Sequence, residues 1–445
     1  MIKKILTLLV LHFCFASFGQ GKFHFIGKNS DKQEVNFRLI NNLIIMPLEI
    51  NGKELSFILD TGVNKTILFN LTQSDSIGLN EIKKVYIYGL GDGEPVEALQ
   101  SRKNTFRVKG LVNTNESLYV ILKDAFNVSA RMGTTIHGIL GYDLLKDVIA
   151  KVDYSNRKIT FYNPKTYKYP KRKCRKCEVL PLQFYRNKPY VDVKVDLING
   201  LKDVPTKLLI DSGGSDAVWL FENSREEILT PEKYFDDILG EGFSGTIYGK
   251  RSRISKLKLG KFELIEPTTS FLDSVSTFNA RKFKKRNGSI GGEVLKRFKL
   301  WVDYPNKKMT LKKAGSLKKG FYYNMSGLQV VYNGQELIKE EAISKFTDNY
   351  GTESRKNNTL SLVTTYFYRF KPSYKIDKVV PGSPAERAGL MEGDVIKYLN
   401  GKPAHTYSLS DIVAIFHSRP DRKVRMKVER GVTPLKFEFK LEKRI

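Results

Sequence analysis

One tract of the sequence occurs twice. Phe57-Ile58-Leu59-Asp60-Thr61-Gly62 is an apolar run ending in an acid and a glycine, and Leu208-Leu209-Ile210-Asp211-Ser212-Gly213 is its near copy. A short apolar run bounded by turn residues reads as a buried strand, so each copy delivers a carboxylate from a sheet into a tight turn. The surroundings are copied too. His137-Gly138-Ile139-Leu140-Gly141 leads to Val152-Asp153-Tyr154-Ser155-Asn156-Arg157-Lys158, and Asn287-Gly288-Ser289-Ile290-Gly291 leads to Val302-Asp303-Tyr304-Pro305-Asn306-Lys307-Lys308. The offset is 151 from Asp60 to Asp211 and 150 from Gly138 to Gly288. The chain therefore contains a duplicated module, far longer than solenoid repeats, and a site built from two acid turns is expected.

At 445 residues the chain has room for about three domains. The first module reads as short strands over 23–164. Leu43–Ile50 and Leu55–Leu59 flank an Asn51-Gly52 hairpin signal, and Val85–Tyr88 meets a glycine-rich tip, Gly89-Leu90-Gly91-Asp92-Gly93. Residues 165–177 carry seven Lys or Arg and no acid, and read as an exposed basic linker. The second module, 178–315, repeats the pattern. Tyr190–Leu197 alternates as a half-buried strand, Asn199-Gly200 turns it, and Thr206–Ile210 runs into Asp211. Ser224–Tyr234 is expected as a helix, and Gly240–Gly249, with Gly242 and Gly245, as the second glycine-rich hairpin. From 320 to 445 the character changes. Lys378–Val380 enters a turn, a short helix from Pro384 stops at Gly389, Ser410–Phe416 is a helix, and 424–428 and 435–441 alternate as closing strands. Residues 332–374 read as an insertion.

The first 19 residues have the layout of a secretory leader: Lys3 and Lys4, an apolar run from Ile5 to Ala16, then Ser17 and Gly19 before Gln20. That run is short for a membrane span, and no later stretch is apolar enough to cross a bilayer. The expected location is secreted, periplasmic or cell-envelope, after cleavage near Gly19-Gln20. The formal charge of +28 becomes +26 without the two leader lysines. So basic a chain favours acidic surfaces or substrates, but its cations are dispersed and no nucleic-acid-binding motif accompanies them. Outside the leader the cysteines are Cys174 and Cys177. A local disulfide or two idle thiols fit their place in the linker better than a redox site, which wants a strand and helix around it, or zinc, which wants about four ligands. No metal or cofactor is expected.

A lone Asp-Thr-Gly is a weak signal. Here each triplet follows an apolar strand and precedes an apolar-Gly stretch, 81 residues on at Gly141 and 80 at Gly291. On these residues the chain resembles the aspartic peptidases, as a single chain holding two retropepsin-like lobes. The resemblance implies a mainly β protein with two pseudo-two-fold related, acid-protease-like β-barrel lobes. Asp60 and Asp211 would form a catalytic dyad around a water, sharing one proton because close carboxylates do not both ionise easily. Thr61, Gly62, Ser212 and Gly213 would support the acid loops. Gly89, Gly91, Gly93, Gly242 and Gly245 would lie in flaps over the substrate, with Tyr86, Tyr88 and Tyr248 as candidate flap tyrosines. Val63 and Gly214 stand where the family often has alanine. His137 has no serine or cysteine nucleophile motif beside it and reads as a surface or packing residue. Sequons at Asn64 and Asn287 fall on the expected acid-site loops and are chance matches.

Pro381-Gly382-Ser383-Pro384-Ala385-Glu386-Arg387-Ala388-Gly389-Leu390, with Gly393-Asp394 and Asn400-Gly401, resembles a PDZ domain, a small β-barrel with two helices. Such domains add a peptide strand to a sheet edge and hold its carboxylate on backbone N–H groups. The expected carboxylate loop is Met325-Ser326-Gly327-Leu328. The resulting expectation is a secreted aspartic endopeptidase, functional as a monomer, that acts on peptides or proteins and uses a PDZ module for recognition, including of C-terminal peptides. A non-catalytic peptide-binding protein and a polyanion binder are the competing readings.

Overall fold

The computed structural model describes residues 21–27, 30–71, 76–87, 96–122, 127–169, 174–242, 245–315, 317–347 and 360–445. The expected leader, 1–19, and the tip at Gly89, Gly91 and Gly93, with Tyr88, lie outside the described residues. The chain divides into two units, one of residues 1–127, 135–321 and 445, the other of 128–134 and 322–444.

In the first unit the two modules fold alike. The acid strand Lys53–Leu59 lies between Leu43–Ile50, antiparallel to it, and Gly138–Leu140, parallel to it. Its counterpart Val204–Ile210 lies between Lys188–Asp196, antiparallel, and Gly288–Ile290, parallel. Beyond these, Thr66–Leu68 pairs with Gly138–Leu140, as Val218–Phe221 does with Gly288–Ile290. Hairpins complete each sheet, Lys83–Ile87 with Val96–Val108 in the first lobe and Phe235–Gly242 with Gly245–Arg253 in the second. The Asn51-Gly52 turn has φ of 48° and 88°. Both are positive, as a tight hairpin of this twist demands.

A third sheet joins the lobes. Ile149–Asp153 pairs antiparallel with Phe298–Asp303, Lys151 facing Trp301. The order across it is Cys177–Pro181, Lys308–Lys313, Phe298–Asp303, Ile149–Asp153, Lys158–Tyr162 and Lys32–Asn36. One apolar core runs through both lobes and this sheet, with Phe57, Leu59, Leu140, Val152, Leu208, Ile210, Ile290 and Val302 all buried. Each such side chain contributes roughly 1.5–3 kcal/mol by leaving water.

One expected element changes. Ser224–Tyr234 is not a helix but a series of turns and irregular chain. Asn223 at φ 57° starts the deviation, Pro231 removes a backbone donor, and an Arg225–Glu227 ion pair at 3.1 Å closes a local turn. The basic linker is anchored at both ends. Tyr167 packs between Tyr162 and Tyr169, Lys308 lies 3.7 Å from the Tyr169 ring centre, and Cys177 opens a strand of the joining sheet. Cys174 and Cys177 are joined as a disulfide.

The second unit is built on a sheet in the order Leu328–Thr347, Leu360–Val379, Val395–Leu399, Lys423–Arg430 and Thr433–Lys440. The stretch read as an insertion belongs to the long hairpin of its first two strands, each of 20 residues. Helices Pro384–Arg387 and Leu409–Phe416 are capped by Ser383 and Ser408, the latter through a capping box with Asp411. A helix at Val128–Met132 belongs to this unit, where Arg131 pairs with Asp377 at 3.1 Å.

Candidate active site

The two acid turns meet. Asp60 and Asp211 sit at matching strand ends, their backbone N–H groups donating to Leu140 O at 2.8 Å and Ile290 O at 2.9 Å. A Cβ placed on Gly62 would lie 3.1 Å from Asp60 Oδ1 and 3.2 Å from Asp211 Oδ1, so both carboxyls converge over this glycine. A Cβ on Gly213 would lie 2.3 Å from the Asp60 carboxyl, inside contact distance. Only glycine leaves that space free. The Gly62 amide donates to Asp60 Oδ1 at 2.6 Å, and the Gly213 amide to Asp211 Oδ1 at 3.2 Å.

Thr61 and Ser212 lock the loops reciprocally. Thr61 Oγ1 donates to Ile210 O at 2.7 Å and accepts from the Ser212 amide at 2.9 Å. Ser212 Oγ donates to Leu59 O at 2.7 Å and accepts from the Thr61 amide at 3.0 Å. Both residues are buried, so each hydroxyl satisfies two backbone groups that water does not reach. Below them, Tyr304 Oη donates to Thr61 O at 3.2 Å. Its counterpart Tyr154 is buried, with no hydrogen-bond partner for its hydroxyl among the described residues.

Burial and the neighbouring Asp211 carboxyl push Asp60 up to about 7. Asp211 is also raised by burial, against the pull of Arg286, Lys188 and the amides of Gly213 and Gly214. Removing an ion from water is costly and two like charges repel, so the pair holds a proton into the neutral range. Lys188 is pulled below its usual range by burial and by Arg286. Among the described residues no group of three or more His, Cys, Asp or Glu could hold a metal. No helix there is long and apolar enough to cross a membrane.

Residues 46–144 match a family model described as aspartyl protease, and residues 375–430 one described as PDZ domain. The chain carries an aspartyl protease domain and a PDZ domain. The protease match ends within the first lobe, and the second lobe repeats its strand pairing. A solved aspartic proteinase from Irpex lacteus aligns over 64% of this chain and 98% of its own, at 12% identity and a TM-score of 0.41. No curated protein matches the chain.

Gly242 and Gly245 face each other at the end of the second-lobe hairpin, while Gly89, Gly91 and Gly93 fall outside the described residues. Tyr86 and Tyr248 are exposed on their hairpins. The His137 ring accepts from the Ser56 amide at 3.1 Å, as a packing residue does. Asn287 is buried and accepts from the Lys207 amide at 2.8 Å, which leaves it no room for a glycan.

In the PDZ domain, the loop Met325-Ser326-Gly327-Leu328 is buried and already internally bonded. The Met325 amide donates to Phe416 O, the Ser326 amide to Asn324 Oδ1 and the Leu328 amide to Ser326 Oγ, each at 3.0 Å. A peptide carboxylate would have to displace Ser326 Oγ to reach the Leu328 amide. The adjoining strand from Leu328 is the edge of its sheet.

Lys188, Arg286 and Tyr304 lie near the acids but do not stand out in the sequence. At the offset of 150, Arg286 falls on Ile136, a difference in charge already legible in the sequence, whereas Lys188 falls on Arg38 and is matched to an apolar residue only by strand register.

Proposed function

We propose that the protein is an aspartic endopeptidase whose catalytic dyad is Asp60 and Asp211. The observation that carries this reading is the convergence of two acid loops, each with its own hydroxyl and glycine, on one enclosed point. With one proton between them, one carboxylate oxygen takes a proton from the attacking water while the protonated partner donates to the peptide carbonyl oxygen. The tetrahedral diol collapses as the dyad gives the proton taken from water to the leaving nitrogen and takes one from a diol hydroxyl, which restores the single shared proton. The elevation of Asp60 to about 7 keeps this singly protonated form available up to neutral pH. The flap candidates, Gly89, Gly91 and Gly93 in one lobe and Gly242 and Gly245 in the other, would cover the substrate and exclude water. The PDZ domain would recognise peptides at its edge strand. The leader would direct the chain out of the cytoplasm, and a monomer would suffice, since both acids lie in one chain.

The test is hydrolysis of a mixed peptide library by the wild type, Asp60→Asn and Asp211→Asn. Each substitution is expected to abolish cleavage, and activity per mole of wild type to survive dilution. Full activity in either variant would refute the dyad, and peptide held uncut from pH 3 to 8 (roughly the span over which such carboxylates titrate) would make the protein a binder instead.

A further inference from the structure

The two lobes share a backbone plan but differ beside the acids. Strand register equates Ile58 with Leu209 and their partners Ile45 with Tyr190, which sets Lys188 opposite Leu43 in the repeat. The parallel pairings of Gly138 with Phe57 and Gly288 with Leu208 likewise equate Arg286 with Ile136. In the first lobe these positions are apolar and buried, Leu43 5% exposed and Ile136 0%. In the second both are cations.

Arg286 is 4% exposed, and its Nη2 has no hydrogen-bond partner among the described residues. Its Nε donates to Gly288 O at 3.1 Å, and its guanidinium carbon lies 5.0 Å from the Phe221 ring centre. Tyr190 lies within its electrostatic reach as well. The Lys188 side chain is half-buried and makes no hydrogen bond or ion pair among the described residues, while both acids lie within its electrostatic reach. Tyr185 and Tyr190 pack on Phe283 with ring centres 4.4 and 4.8 Å away, an aromatic wall for the same corner. A dyad that shares one proton carries one negative charge, so two cations beside it leave one positive charge over. A buried donor with no acceptor is costly, and a carboxylate supplies both the acceptor and the charge.

We propose that Lys188 and Arg286 form a substrate subsite that selects a carboxylate side chain, Asp or Glu, at one of the two residues flanking the scissile bond. This rests on the endopeptidase reading, and it makes the cleft directional.

The test uses full-length protein and peptides capped at both ends, with Glu or Gln at either flanking position. The expected result is a kcat/KM ratio for Glu over Gln of roughly 10 to 100 at one position only, the size of a charge-assisted hydrogen bond. Lys188→Leu should bring that ratio toward one, and Lys188→Arg should keep it. Equal rates for Glu and Gln, or an acid preference that needs a free terminal carboxylate, would overturn the proposal. If no peptide is cut, the endopeptidase reading fails, and calorimetry with a reduced-bond peptide decides the subsite separately. Tighter binding of the Glu form, lost in Lys188→Leu, sustains it, and equal binding of the two forms ends it.

Discussion

Thr61→Val keeps the shape of the side chain and removes its hydroxyl. In the folded protein this leaves the Ile210 carbonyl and the Ser212 amide without their partners at 2.7 and 2.9 Å, in a place closed to water. A buried group left unsatisfied costs about 1–3 kcal/mol, so the variant should lose about 2–6 kcal/mol. Ser212→Ala leaves the Leu59 carbonyl and the Thr61 amide in the same state, and should cost the same within about 1 kcal/mol, on the usual scatter of such values. Against a typical stability of about 5–15 kcal/mol either loss is large. The assay is urea unfolding followed by tryptophan fluorescence. The chain's two tryptophans, Trp219 and Trp301, both lie in the unit that holds the acids, so the signal reports on it directly. At a slope of ~3 kcal/mol per molar urea, the midpoint should fall by about 0.7–2 M. Thr61→Ser, which keeps the hydroxyl, should fall much less. A midpoint unchanged in either hydroxyl-free variant, or a loss in one but not the other, would refute a reciprocal lock.

Gly213→Ala should destroy activity and lower stability, because its Cβ would meet the Asp60 carboxyl at 2.3 Å, whereas Gly214→Ala, whose nearest neighbour is Asp211 Oδ2 at 3.4 Å, should fold and cleave. Thermal midpoints and peptide cleavage distinguish the two. Tyr304→Phe should cost about 1 kcal/mol for its lost hydrogen bond to Thr61, while Tyr154→Phe should be neutral or stabilising, since its hydroxyl is buried without a partner among the described residues; parallel urea curves would show it. The pH dependence follows from Asp60, raised from an ordinary 3.8 to about 7. The folded form binds the proton more tightly than the unfolded one, so this group's contribution is complete below pH ~4 and is lost as pH rises through ~7. The melting temperature of the wild type relative to Asp60→Asn should therefore fall across that window, and a difference that stays flat would contradict the assigned elevation.

The acid strands were legible because their signal is local: apolar residues in a row, an acid, a glycine, and the same again. The helices at Leu409–Phe416 and Pro384–Arg387 were legible for a similar reason, each having its cap within a few residues. What escaped depends on partners distant in the chain. Nothing near Ile149–Asp153 says that it pairs with Phe298–Asp303. Nothing near Met325–Leu328 says that the Phe416 carbonyl takes the Met325 amide. The expected helix at Ser224–Tyr234 had suitable composition, but Asn223 and Pro231 bend the chain at either side and Ile228 is drawn into the core. Lys188 and Arg286 looked like two more cations in a basic chain until register placed them beside the acids.

The joining sheet also sets an order of events as the chain folds. Ile149–Asp153 is synthesised well before Phe298–Asp303, the strand that covers its open side. Until then it presents unpaired N–H and C=O groups, the kind of edge on which other chains can assemble. Lys151 and Asp153 place a charge of each sign along those five residues, a known deterrent to such pairing. Contacts between residues so far apart in sequence close slowly. The first lobe thus spends its early life guarded by two charged side chains, and the step that ends this exposure is the one that brings the second acid to the first.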